Sequence, residues 1–447
     1  MALPDLIEIV PLEKPVRAEI TVPGSKSITN RALVLAALAE GETTLTGALW
    51  SEDTQVMVEC LQELGFMVNT EPDSNETSNR TITVYGRGGR IPGGGTADNP
   101  LALFVGNSGT AARFLTAMVC LGSGVYRLHG VPRMHERPQA ALFKALRELG
   151  YCVEATNDKL PATIYGGNAG PSAQHFRDGN IKSLPAKRCV VSIEESSQFA
   201  SALLLCAKRG GWAVEIVGEN AEESPYVAMT TKLIEAFPQR GDKFQIEPDA
   251  SSASYFWAAN LMQPLAFTGL GIQVSQPPSS GWQIDQNFRR LPPTINNNQI
   301  SRNTDLGDSI MTAVVLAAGM WQRDFRFIDL ARLRVQECER VVALRTELTK
   351  CGAKVVEEGD TLTVYPSQLH GAEIETYNDH RMAMCFATLG LKVPGIKIKN
   401  PACVKKTFPN FFQKLAAPPP QGLGAEIWEV KDGQRTRRLA GEDLFAN

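Results

Sequence analysis

The chain has 447 residues, 43% of them hydrophobic and 21% charged, enough for two domains with sizeable cores. Its formal charge of −3 excludes a general binder of nucleic acid or of anionic membrane surfaces, which would carry a basic excess. Any anion site must therefore be local. The first twenty residues lack the basic start and apolar core of a signal peptide, and the longest apolar run, about Ile310 to Trp321, is too short to cross a bilayer. Nine cysteines without a Cys-x-x-Cys pair fit reduced thiols in a cytosol, and five dispersed histidines offer no metal-ligand spacing.

The first informative stretch runs from Ala18 to Gly41. Ala18 to Val22 alternates as a half-buried strand does, and Ala32 to Ala39 reads as a helix closed by Gly41. Between them, Pro23-Gly24-Ser25-Lys26-Ser27 makes a turn in which Ser25 or Ser27 is expected to cap the helix. Helix N–H groups beside Lys26 and Arg31 suit a phosphate or a carboxylate. It is not the usual phosphate loop, because Ser25 precedes Lys26 and Ile20 stands where the first glycine belongs.

Further along, one unit recurs. Helices ending at Leu64-Gly65, Leu149-Gly150 and Cys351-Gly352 are each followed by a strand, a turn and a second strand closing on Tyr85-Gly86, Tyr165-Gly166 or Tyr365-Pro366. Upstream of each helix lie a strand and a charged loop: Ser51-Glu52-Asp53, Arg133 to Pro138, and Arg334 to Arg340. Weaker copies run from Ala213 to Ser224 and from Ile396 to Pro409. Equivalent loops of a repeat lie at equivalent ends, so these charges are expected to converge on one cleft. Further helices are expected from Ala111, Phe199, Ala253, Ser309 and Met382, each opened by small polar residues; for Ser252 capping alone is expected. Glu71 to Arg80 reads as a hairpin loop, Gly86 to Asn99 as a long connection, and Phe237 to Gly241 as a hinge. Beyond Leu415 a proline- and glycine-rich segment leads to a charged tail, expected to lie outside the repeats.

Eight motifs carry a specific resemblance: VPGSKSITNRAL, GNSGTAARF, GVPRMHERP, ESSQFASALLL, DASSASYF, RVQECER, YNDHRMAM and KKTFPNFF. Over roughly residues 10 to 415 the chain resembles the 5-enolpyruvylshikimate-3-phosphate synthases (3-phosphoshikimate 1-carboxyvinyltransferases) of the enolpyruvyl transferase family. The resemblance implies an α/β fold of two lobes, an inside-out α/β barrel with three βαβαββ repeats in each. Residues 24–244 would form one lobe, 1–23 with 245–415 the other, and 416–447 the tail.

The resemblance also implies the chemistry: phosphoenolpyruvate joins the 5-hydroxyl of shikimate 3-phosphate and phosphate leaves, without metal or organic cofactor. Lys26, Arg133, Arg340, Arg381 and Lys406 would hold phosphoenolpyruvate, with Gly109 and Gln198. Lys26, Ser27, Arg31, Ser196, Ser197, Gln198, Asp308 and Gln336 would hold shikimate 3-phosphate. Asp308 is the expected base for the 5-hydroxyl, Glu337 the group exchanging a proton with the methylene carbon, and Lys26 the group at the leaving phosphate. A cytoplasmic monomer without nucleic-acid or membrane partners is expected, inhibited at the phosphoenolpyruvate site by glyphosate.

Four positions depart from the family pattern. Gln336 stands where a lysine is usual, and Arg332 where an asparagine is. The serine of Ser-x-Pro-Tyr is shifted in Glu223-Ser224-Pro225-Tyr226, and Phe114 replaces a proline. The related transferase acting on UDP-N-acetylglucosamine is the alternative, but it relies on a loop cysteine and on an asparagine after the first lysine. Here Ser27 follows Lys26, and PRMHERP has no cysteine. A non-enzymatic anion binder would carry cations without the acids Asp308 and Glu337.

Overall fold

In the computed structural model, the described residues are 3–167, 187–218, 224–263, 271–291 and 298–446. The chain divides into two compact units: a central unit, Gly24–Asp73 with Asn79–Ile246, and a terminal unit, Met1–Pro23 with Ser74–Ser78 and Glu247–Asn447. The chain passes between them at Pro23/Gly24, on either side of Ser74–Ser78, and at Ile246/Glu247.

The recurring unit is present three times with one topology. Asn79–Arg87 pairs antiparallel with Glu40–Leu49 on one side and Val68–Pro72 on the other, and Lys243–Gln245 runs parallel to Glu40–Leu49. Leu101–Phe104, Val125–His129, Ala162–Tyr165 and Cys152–Ala155 repeat that order and polarity in the central unit. In the terminal unit, Gln299–Ser301, Phe325–Ile328, Thr361–Val364 and Val355–Glu358 do so again. The helix before each hairpin ends at a glycine with φ between 86° and 89°: Gly65, Gly150 and Gly352. That left-handed backbone is strained for side-chain-bearing residues, which is why the same residue recurs at each helix-to-strand corner.

The weaker copies are partial. Lys187–Ser192 and Trp212–Val217 form a two-stranded parallel sheet, and Ile396–Lys399 runs parallel to Glu373–Ile374 and antiparallel to Leu6–Ile9. The C-terminal segment is not a free appendage. Ile427–Lys431 pairs with Leu6–Ile9 and Gln434–Leu439 extends that sheet, with Ile427, Leu439 and Leu444 in the terminal unit's core. Parts of the charged loops after the strands are short helices: Arg133 lies in Pro132–Glu136, and Arg332 and Arg334 in the 3₁₀ turn Ala331–Val335.

Helices that are buried all round occupy the middle of each unit. In the central unit Ile28 to Leu38 of Lys26–Leu38 and every residue of Gly109–Val119 are buried. In the terminal unit the same holds for Ile310 to Ala318 of Ile310–Met320 and for nearly all of His380–Gly390. Small and branched apolar residues all round such helices leave mainly their first two turns available for polar work. The first helix begins at Lys26, six residues before Ala32, so Ser27 and Arg31 are helical rather than part of a loop.

Candidate active site

In the central unit, side chains tie four helix starts together. Lys26 Nζ donates to Asp53 Oδ2 at 2.9 Å, joining the first turn of Lys26–Leu38 to that of Glu52–Glu63. Asn30 Nδ2 donates to Thr110 Oγ1 at 3.3 Å, and Arg113 Nη1 to Gln198 Oε1 at 3.1 Å, which adds Gly109–Val119 and Gln198–Gly210. Four positive dipole ends with Lys26 and Arg113 among them make this a place for anions. Ser25 occupies the cap position, but its hydroxyl is buried without a hydrogen bond and makes no capping contact. The expected cap is therefore absent, and no cap side chain competes for the first-turn amides.

The other central-unit residues take distinct places. Gly109 is the first residue of its helix, and a Cβ there would come within 2.4 Å of Arg113 Nη1 and 2.7 Å of Arg137 Nη2. Only a hydrogen lets two guanidinium groups close over that helix start. Ser197 stands at the cap position of Gln198–Gly210, and Ser196 Oγ accepts from the Gln198 amide at 3.3 Å. Arg133 is 39% exposed and pairs with Glu136 at 2.6 Å. Arg31, by contrast, is buried. Its guanidinium donates to Thr230 Oγ1 at 2.7 Å, to the Ser27 carbonyl at 2.8 Å and to Ser201 Oγ at 3.1 Å, and stands 5.2 Å from the Phe114 ring centroid. Burial pushes its pKa down to about 10, which leaves it charged near neutrality. The bulk of Phe114, where the family pattern has proline, is thus taken up beneath Arg31. Of the shifted Glu223-Ser224 pair, Glu223 lies outside the described residues; Ser224 caps Pro225–Ala236 in position only.

In the terminal unit a run of alternating charges extends from Arg302 to Lys406. Arg302 Nη2 donates to Asp308 Oδ1 at 2.7 Å, and Arg381 Nη2 lies 3.3 Å from Asp308 Oδ2. The Arg381 amide donates to Asp379 Oδ1 at 2.8 Å, and Asp379 receives the Arg340 fork at 2.7 and 3.2 Å. Arg340 Nη2 also lies 2.8 Å from Glu337 Oε2, and Lys406 Nζ 3.2 Å from Glu337 Oε1. Gln336 accepts from Arg340 Nη1, so its amide serves this arginine.

Electrostatics follow from the pairing. Burial alone would raise the Asp308 pKa, but Arg381, Arg302 and Arg340 hold this carboxyl well below the usual carboxylate range. Burial works against the charge on Arg340 as well, and Asp379, Glu337 and Asp308 outweigh it, so its pKa is raised. Asp285 behaves in the opposite way: desolvation, helped by Asp308, pushes it up to about 6. Its Oδ1 accepts from the Ser309 amide at 2.6 Å, beside Asp308 at the start of Ile310–Met320.

The structure therefore brings Asp308, Glu337, Gln336, Arg340, Arg381 and Lys406 into one network in the terminal unit. It gathers Lys26, Gly109 and Gln198 at linked helix starts in the central unit. Sequence reading placed Asp53 and Arg137 in the converging charged loops without giving them a role, and it missed Ser251, Asp285, Arg302 and Asp379 as site residues. Asp379 could have been found, since it stands at a helix start inside YNDHR and accepts from the Arg381 amide. Ser251, whose Oγ accepts from Arg381 Nη1 at 2.5 Å, and Arg302 carry no local signal. Among the described residues, no group of three or more His, Cys, Asp or Glu could hold a metal ion, and no helix is long and apolar enough to cross a membrane.

Comparison with known proteins agrees with this chemistry. The sequence model of EPSP synthase (3-phosphoshikimate 1-carboxyvinyltransferase) matches residues 10–240 and 238–415. The 3-phosphoshikimate 1-carboxyvinyltransferase of Trichormus variabilis is 37% identical, the match covering 92% of this chain and 98% of that protein. That of Rhizobium etli is 38% identical over 92% of this chain and 96% of its own. EPSP synthase of Acinetobacter baumannii superposes with a TM-score of 0.66 at 22% identity, covering 95% of this chain and all of the other (100%). The enolpyruvyl transferase NikO of Streptomyces tendae does so at 0.64 and 15% identity, covering 95% and 98%. These last two likenesses show a shared mixed α/β fold, and the full-length identity shows more: the chain belongs to the EPSP synthase (3-phosphoshikimate 1-carboxyvinyltransferase) family.

Proposed function

We propose that this chain transfers the carboxyvinyl group of phosphoenolpyruvate to the 5-hydroxyl of shikimate 3-phosphate and releases phosphate, a step toward aromatic amino acids. The observation that supports it best is Asp308 and Glu337 standing in one run of cations, Arg302, Arg381, Arg340 and Lys406. Cations alone would serve any anion binder; two acids set among them suit proton transfer on anionic substrates.

In this reading Asp308 takes the proton of the 5-hydroxyl as its oxygen bonds to C2 of phosphoenolpyruvate, while the methylene carbon gains a proton from Glu337, which enters this step as the carboxylic acid with a proton taken from solvent. In the second step Glu337 takes a proton back from the new methyl group, the C2–O bond to phosphate breaks, and Lys26 neutralises the departing group. Lys26, Gly109, Arg133, Gln198, Arg340, Arg381 and Lys406 hold phosphoenolpyruvate. Lys26, Ser27, Arg31, Ser196, Ser197, Gln198, Asp308 and Gln336 hold shikimate 3-phosphate, Arg31 acting from its buried position through Ser27. No metal or organic cofactor is called for, since neither redox change nor carbanion storage is involved. A cytoplasmic location fits the nine free cysteines, and we take the protein to act as a monomer. The finer architecture we infer is an inside-out α/β barrel of two lobes, 24–244 and 1–23 with 245–415, each of three βαβαββ repeats; the shared topology of three sheets supports it.

Phosphate release from phosphoenolpyruvate, measured with shikimate 3-phosphate and with UDP-N-acetylglucosamine, tests the proposal. Turnover is expected with the first acceptor only. Release with the amino-sugar nucleotide alone would overturn it.

A further inference from the structure

Asp308 has two oxygens with different partners. Oδ1 is bonded by Arg302, whose side chain is 4% exposed, at 2.7 Å. Oδ2 faces Arg381 at a looser 3.3 Å, and Arg381 also donates to Ser251 Oγ. A buried guanidinium on one oxygen and a looser, shared one on the other are not equivalent. An arriving substrate carboxylate offers Arg381 a better-aligned partner than an oxygen at 3.3 Å. It offers Arg302 nothing, because that side chain is covered.

We propose that Arg302 is a positioning residue for Asp308: it fixes Oδ1 so that Oδ2, freed when a substrate anion draws Arg381 away, is the oxygen that accepts the 5-hydroxyl proton. This rests on the reading of Asp308 as the base. The two arginines have opposed effects on the reaction. While both are paired, the carboxylate is a weak base, because each cation favours its ionised form. Loss of the Arg381 contact strengthens it only once phosphoenolpyruvate is in place, and Arg302 keeps it ionised and oriented meanwhile. Proton balance is simple: the hydroxyl proton passes to Oδ2, and the oxygen's electron pair forms the bond to C2.

The charged groups facing Asp308 are Arg302 beyond the strand Gln299–Ser301, Arg381 on His380–Gly390, Arg340 on Arg340–Lys350, and Asp285 on the turn Ile284–Arg290. Arg302 is one of the cations that hold the Asp308 carboxyl down, so removing it must let that carboxyl titrate higher.

The test compares native protein with Arg302→Gln, Arg302→Lys and Asp308→Asn, reading phosphate release across pH. Variant-to-native ratios of kcat report the substrate-bound protein, in which Arg381 is drawn away from Asp308. For Arg302→Gln this ratio is expected to fall as pH is lowered from about 7.5 to 5.5, with kcat at neutral pH already reduced roughly ten- to a hundredfold and KM for phosphoenolpyruvate within about threefold of native. Arg302→Lys, which keeps the charge but not the fork, should flatten the ratio again while kcat stays below native. A pH-independent ratio in a folded Arg302→Gln protein overturns the proposal, even where kcat is reduced. Should that variant not fold, native kcat in Arg302→Lys overturns it. Asp308→Asn separates the two readings: full turnover there removes Asp308 as base, whereas lost turnover with a flat Arg302→Gln ratio removes only Arg302.

Discussion

Glu337 lies between two cations, with Arg340 Nη2 2.8 Å from Oε2 and Lys406 Nζ 3.2 Å from Oε1. Its side chain is 9% exposed, so this pairing is shielded from solvent. Both cations are among those proposed to hold phosphoenolpyruvate. Substrate binding and the availability of the Glu337 carboxylate are then one event, since an anion that engages Arg340 and Lys406 loosens their hold on it.

Replacing Glu337 with Gln keeps the shape and removes the group proposed to exchange a proton with the substrate. Turnover should fall by about two to four orders of magnitude, while shikimate 3-phosphate binds as before. Phosphate-release kinetics and calorimetric titration with shikimate 3-phosphate check the two halves separately. Near-native turnover would take Glu337 out of the mechanism.

At Gly109 the space for a methyl group is already filled by the Arg113 and Arg137 guanidinium groups. Gly109→Ala must displace one or both, and with them the Arg113–Gln198 bond. KM for phosphoenolpyruvate should rise roughly tenfold or more, because small displacements of positioning groups are amplified in binding and rate. Steady-state kinetics with varied phosphoenolpyruvate measure this, and an unchanged KM would mean the two arginines yield without consequence.

Asp285 makes stability fall as pH rises through the weakly acidic range. Its folded pKa, about 6, lies above the ordinary 3.8, so the folded state binds the proton more tightly. The stabilising contribution is complete below the ordinary value and is lost as pH climbs through about 6, on the order of 3 kcal/mol. Asp308, held in the opposite direction, gives up its contribution only at lower pH and does not mask this window. Asp285→Asn can still accept from the Ser309 amide and has no charge to bury. Its Tm relative to native protein should therefore be higher at about pH 7 than at about pH 4.5. Equal differences at both pH values would refute the assignment.

Phe114 is fully buried with the Arg31 guanidinium 5.2 Å from its ring centroid. Phe114→Leu removes the aromatic face from a buried cation and leaves unfilled volume, which should cost about 1–3 kcal/mol. The urea midpoint should drop with an unchanged slope. No change in midpoint would show that the three oxygen partners of Arg31 suffice by themselves.

Much of this was legible along the chain. Gly65, Gly150 and Gly352 marked the helix-to-strand corners because a left-handed backbone is a local steric demand, answered by one residue type. The hairpins after them were legible for the same reason: alternation and turn chemistry act over a few residues. Element starts were less exact, and the first helix opens at Lys26 because tertiary packing of its apolar length outweighs the weak helix propensity of Ser27, Ile28 and Thr29. The C-terminal strands were missed because their partner, Leu6–Ile9, lies at the other end of the chain.

The sequence by itself determined the repeated α/β units, the family, and the residue types proposed to meet two anionic substrates. Only the tertiary structure decided how those charges are paired. Lys26 meets Asp53, Arg340 meets Asp379, and Arg381 meets both Ser251 and Asp308, over separations that no local pattern encodes. Arg302 and Asp285 gained their places beside Asp308 in the same way. The physical reason is that backbone preferences act between near neighbours, whereas a buried charge is stable only beside a partner, and packing alone determines which partner that is.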